Sequence, residues 1–323
     1  MQDSHETATV PELVPVPAPK TSTLAICLVL AATVVWGSQY ALIKMSVAII
    51  PPFLFQGIRH LIAFLGFLPF WGRFKLMTKR LFWIILLNAF VYYLLTSLVT
   101  IGLEFTTANK GAFMATQYVI FTPFLGYAMF RTKIKPLQVA GVLVVVAGLA
   151  IMLFSRETVS DPQAAFNYGD VIVLVGAFFN AVQIVLLEKY TKEIDTMLFV
   201  VGQMGMIAAM MLGTSAVLGE TVAWGSISIA SWIIWIYMGI VAGTITLAIQ
   251  AWAQKTLDST RAALLYSLEP VFGIVFGITL LAEALTWSFV IGAGLIMTGI
   301  VLSNLKQKQK KEPLAVLEEK PDF

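Results

Sequence analysis

Hydrophobic and polar positions do not alternate in this chain; they come in blocks. Long apolar runs, each near the roughly 20 residues that a bilayer requires, are separated by short polar turns. Hydrocarbon cannot solvate backbone N–H and C=O groups, so such runs are read as helices that satisfy their own backbone. Ten spans are predicted, near Leu24–Met45, Phe53–Trp71, Leu81–Leu103, Asn109–Phe130, Leu137–Phe154, Gly169–Leu187, Met197–Leu218, Ile229–Ala253, Ala262–Leu281 and Thr286–Asn304. The polar link 155–168 divides them into two sets of five, 24–154 and 169–304. Residues 1–22 are polar and Pro-rich and read as a disordered tail, not a cleavable signal peptide, because no basic start precedes a short apolar core. Residues 305–323 read as a charged C-terminal tail.

Composition agrees with the blocks. The chain is 59% hydrophobic and 12% charged, where soluble domains carry about 25% charged residues. The fold class expected is therefore an all-α, polytopic membrane protein. The net charge of +3 resides in loops and tails and points to no nucleic-acid face. Two histidines and a single cysteine, Cys27, exclude a disulfide framework and argue against a His/Cys metal site. No phosphate-binding G-x-x-x-x-G-K-[ST] loop is present, and no cofactor is implied.

Charge also orients the spans. Of 21 lysines and arginines, only Lys44, Lys110 and Arg156 fall on one side, while Arg59 lies within the second span. The remainder lie on the opposite side, which places both termini in the cytoplasm. A shift of 151 positions lays Lys110 on Arg261, Gly141 on Gly292 and Gly148 on Gly299, without a gap over two helices. The chain thus contains an internal repeat, and five spans per half require the second half to be inverted. Inverted repeats are the architecture of alternating-access carriers, which hold substrate near the midplane.

The stretch STRAALLYSLEPVF (Ser259 to Phe272), the helix-end Glu283, GLEFTTANKGAFMATQYVIFTPFLG (Gly102 to Gly126) and the opening Trp36-Gly37-Ser38 with Lys44 resemble the EamA-type transporters of the drug/metabolite transporter superfamily. The resemblance covers roughly Leu24 to Asn304. It implies a secondary transporter, an exporter, of small organic metabolites such as amino acids or amphipathic drugs, in the cytoplasmic membrane. The halves differ at their motifs: Thr132 stands at the position of Glu283 and Tyr118 at that of Glu269.

Polar and aromatic residues recur at one-turn spacing, which sets each pair on one helical face: Trp36/Tyr40, Asn88/Tyr92, Asn180/Gln183, Thr246/Gln250 and Tyr266/Glu269, with Gln117 beside Tyr118. They are read as the substrate-binding wall of a central cavity lined by six helices, where aromatics stack on a solute and amides bond it. The competing reading is hydrogen bonding between helices, worth about 0.6 kcal/mol each. Glu269, an acid inside a span, is open to three roles: proton carrier, partner of an amino group, or structural acceptor beside Pro270. Arg59 is open to pairing with a cavity carboxylate or to snorkelling, and a structural role is preferred. His60 is expected to be a packing histidine. Lys110, Arg261 and Glu283 are expected to anchor helix ends, with gate ion pairs as the alternative. An integral-membrane lipid-modifying enzyme is the second reading, ranked lower because clustered acids or histidines are missing. A non-transporting membrane sensor is the third; it would require no polar pairs converging from six helices.

Overall fold

The computed structural model describes residues 23–131, 134, 136–154, 166–190, 194–253, 265–266 and 268–304, and among them there are no strands. Both tails, most of the link 155–168, Thr132 and Arg261 lie outside the described residues. The elements are α1 (Thr23–Val47), α2 (Pro52–Gly66), a 3₁₀ segment (Leu68–Leu76), α3 (Lys79–Phe105), α4 (Ala108–Ala115), α5 (Tyr118–Phe130), α6 (Pro136–Phe154), α7 (Tyr168–Tyr190) and α8 (Thr196–Val217). After a short 3₁₀ turn follow α9 (Ile229–Ile236), a π-helical stretch (Tyr237–Ile245), α10 (Thr246–Ala253), α11 (Glu269–Leu281) and α12 (Trp287–Asn304).

Among the described residues five helices are long and apolar enough to cross a membrane: Thr23–Val47, Lys79–Phe105, Tyr168–Leu186, Thr196–Val217 and Ile229–Gln250. A sixth exists if α2 and the 3₁₀ segment, bent by 82°, form one span. Large apolar side chains such as Trp83, Leu143, Val217 and Ile229 face outward, the surface a lipid-embedded bundle presents.

Two of the expected spans are interrupted. Asn109–Phe130 breaks at Thr116 and Gln117 into α4 and α5, and Ala262–Leu281 breaks at the turn residue Leu268, immediately before α11. These breaks fall at repeat-related positions, so Tyr118 and Glu269 each open the second segment. Pro270 therefore lies in the first turn of a helix, where its missing N–H costs no intrahelical bond. It does not kink a continuous span.

Glycines set the closest crossings. A Cβ at Gly141 would stand 2.6 Å from the carbonyl oxygen of Gly299, and one at Gly148 equally close to that of Gly292. Residue numbers rise along α6 as they fall along α12, so these repeat-related helices are antiparallel. The repeat-related pair α2 and α8 is also antiparallel: Gly57 meets Leu212 and Gly205 meets Phe64. Gly239 and Gly243 seat the π-helical stretch against Ile62 and Ala63 of α2, the packing role that small residues serve between membrane helices. An apolar cluster containing Phe55, Leu103, Phe113, Met114 and Trp235 fills the bundle on one side of its middle.

Candidate functional site

Between the halves lies a cavity of about 740 Å³, walled by residues from α1 to α12. Of the residues expected to bind solute, Trp36, Tyr40, Tyr92, Asn180, Gln183, Gln250, Tyr266 and Glu269 are on its wall. Asn88 and Gln117 are not. Asn88 is fully buried, with neither amide atom bonded, one turn from Tyr92; its neighbour Ala89 already belongs to the apolar cluster that α8 closes over. Gln117 lies in the break between α4 and α5 and turns back, its Nε2 donating to the Phe113 carbonyl at 2.7 Å. Spacing along a helix gives the face but not where a neighbouring helix ends the cavity.

Glu269 is held from α1. The Tyr40 hydroxyl donates to its Oε1 at 3.0 Å. Gly37 makes this possible, since a Cβ there would stand 2.9 Å from the Glu269 carbonyl oxygen. Glu269 is the first residue of α11. Tyr118, its repeat counterpart, faces the same cavity. Trp36 is anchored as well as exposed to the cavity: its Nε1 donates to Thr246 Oγ1 at 2.9 Å, and its ring lies 5.4 Å from that of Tyr266.

Sequence reasoning did not place Gln39, Gln56, Arg59 or His60 in the wall, yet all four line it. A continuous bonded row crosses three helices here. Gln56 Nε2 donates to Thr100 Oγ1 at 2.6 Å, Arg59 Nη1 donates to Gln56 Oε1 at 3.4 Å, and Arg59 Nη2 donates to Gln39 Oε1. Arg59 neither snorkels nor meets a carboxylate among the described residues. His60 Nδ1 donates to the Gln56 carbonyl at 2.7 Å. Arg59 and His60 stand three and four residues from Gln56 along α2, a one-turn polar pattern that marks this face as a second polar stripe.

Beyond Thr100 of the cavity wall, further along α3, lies a buried charged cluster. Lys110 Nζ pairs with Asp170 Oδ2 at 2.6 Å, their side chains 5% and 0% exposed. Thr106 Oγ1 donates to the other carboxylate oxygen, and the Asn167 backbone N–H donates to Oδ2 at 3.0 Å. Lys44 Nζ donates to the Leu103 carbonyl at 3.0 Å. The chain turns left-handed at Ala282 (φ 52°), and Glu283 then accepts from the Ala108 and Asn109 N–H groups at 2.5 and 2.8 Å, capping α4. From Thr100 on the cavity wall to Thr106 is about 9 Å at 1.5 Å per residue. At the opposite end the wall reaches Gly126, Gln138 and Ser303, near the ends of α5, α6 and α12 that carry Arg131 and the basic tail.

A polar cavity inside an apolar helical bundle, with charged groups on its wall, defines a multi-pass membrane protein of the transporter type. The chain belongs to the EamA-like transporter family, whose model matches residues 23–154 and 167–305. It is 27% identical over 275 residues to an uncharacterized transporter of Archaeoglobus fulgidus, covering 84% of this chain and 83% of that protein. It is 24% identical to a probable amino-acid metabolite efflux pump of Salmonella typhimurium, covering 85% and 93%. A crystal structure superposes with a TM-score of 0.61 at 18% identity, covering 87% of this chain and 97% of that one, a likeness of fold alone.

Proposed function

We propose that the chain is a secondary transporter that exports small organic metabolites, amino acids or amphipathic drugs among them, across the cytoplasmic membrane by alternating access. Its ten spans form two inverted five-helix repeats of residues 24–154 and 169–304. The antiparallel courses of α2 and α8 and of α6 and α12 support the inversion, because repeat-related helices of inverted halves must run oppositely. Both termini are cytoplasmic in this reading. The observation that carries it is the cavity between the halves, with the Lys110–Asp170 cluster beyond one end of its wall and Gly126, Gln138 and Ser303 at the other. That is an inward-facing carrier.

Trp36, Tyr40, Tyr92, Asn180, Gln183, Gln250, Tyr266 and Glu269 contact the solute in this reading, and Asn88 and Gln117 lie behind the wall. Glu269 serves as proton carrier or as partner of a cationic group. The names of the efflux-pump relatives favour amino-acid cargo. The test is flux from proteoliposomes loaded with amino acids or cationic drugs, with and without a pH gradient. Loss of none of them faster than from protein-free liposomes would defeat the proposal.

A further inference from the structure

Among the described residues two lysine or arginine side chains are buried, Arg59 and Lys110, and they are treated differently. Lys110 has a carboxylate 2.6 Å away. Arg59, 7% exposed and well inside the bundle, has among the described residues only amide oxygens, those of Gln56 and Gln39. A guanidinium has five N–H donors, and these two bonds leave others available on the cavity side. Amide dipoles satisfy donors but do not cancel charge, and an unneutralised cation within a membrane is costly. The surroundings are arranged to keep the site cationic. Gln56 is oriented by Thr100 so that its oxygen faces the guanidinium, and His60 is turned to its own backbone, Nδ1 donating to the Gln56 carbonyl.

We infer that Arg59 is the anion-recognition residue of the cavity and that the solute carried is one bearing a carboxylate, gripped by the guanidinium fork. The inference rests on the transporter reading and narrows its substrate class. Planar carboxylate matches the fork's two parallel N–H groups. A phosphate dianion fits less well, because Arg59 is one cation and the same cavity holds the acid Glu269. The carboxylate supplies the counter-charge that the protein withholds, and the aromatic residues Trp36, Tyr92 and Tyr266 take the apolar part of the molecule.

The test is calorimetric titration of the purified full chain with four matched probes: L-phenylalanine, 3-phenylpropanoate, phenethylamine and phenyl phosphate. In the wild type both carboxylates bind. Arg59→Gln raises their Kd about thirtyfold, equivalent to about 2 kcal/mol, and leaves phenethylamine within about twofold. Arg59→Lys, which keeps the charge but not the fork, loses part of the carboxylate affinity alone, and it decides the matter if Arg59→Gln does not fold. Three outcomes overturn the inference: no carboxylate binding to the wild type, unchanged carboxylate affinity in the variant that folds, or phenyl phosphate binding tighter than phenylpropanoate. Flux of the same probes separates the two levels. Carboxylate binding that depends on Arg59 without flux removes the transporter and keeps the subsite; flux of phenethylamine alone removes the subsite and keeps the transporter.

Discussion

Asp170→Asn probes the closed end of the cavity with the smallest change of shape. Asp170 is wholly buried and its carboxylate takes the Lys110 ammonium, the Thr106 hydroxyl and the Asn167 N–H. The amide keeps the volume and one acceptor oxygen but removes the charge. Breaking a buried pair by neutralising one partner costs about 3–5 kcal/mol, because the other charge loses its counter-charge while still out of water. At about 2–4 °C per kcal/mol, the scale for large domains, the melting temperature should fall by roughly 6–20 °C. Lys110→Met alone should be comparably harmful. The double variant, with neither charge, should be less destabilised than the sum of the singles by about 2 kcal/mol or more. Melting followed by fluorescence in detergent measures all three. In a Cys27→Ser background, a cysteine placed at Ser46, 5% exposed and two residues beyond Lys44 on α1, should also react faster with a water-soluble thiol reagent when Asp170→Asn is present. A melting temperature within 2 °C of wild type, or strictly additive singles, would refute the view that this pair holds the face shut.

Glu269→Gln should abolish transport, or its response to pH, with a melting temperature close to wild type, while Glu269→Asp retains part of the rate; wild-type flux in Glu269→Gln across a pH series would leave the acid only its bond to Tyr40. Gln117→Leu removes a fully buried side chain whose Oε1 has no partner, so transport should stay within about twofold and stability should hold or rise, and a tenfold loss of flux would return Gln117 to the binding site. Gly299→Ala places a methyl 2.6 Å from the Gly141 carbonyl oxygen and should destabilise the protein by about 1–3 kcal/mol; an unchanged melting curve would mean that α6 and α12 do not cross this tightly.

Much of the architecture follows from composition alone. Blocks of apolar residues in a bilayer leave the backbone no choice but helix, and the 151-residue shift exposes an internal repeat. One-turn spacing then identifies polar faces, which is why Trp36, Tyr40, Tyr92, Tyr266 and Glu269 were nameable as wall residues before any coordinates. Tertiary structure decided the rest. Local sequence does not reveal that α8 closes over α3 at Ala89 and hides Asn88, or that the span around Gln117 breaks and folds that side chain away. The break before Glu269 carried a local sign, Pro270, whose fixed φ suits a helix start as well as a kink; only the packed structure chose between them. Arg59 is the sharpest case. From the chain it is a cation in search of a carboxylate, and both Glu269 and Asp170 were available in composition. Helix packing gave Asp170 to Lys110 and Glu269 to Tyr40, and left Arg59 facing the cavity with amides for neighbours. Which charge meets which is set by the relative placement of whole helices, a property no single helix encodes.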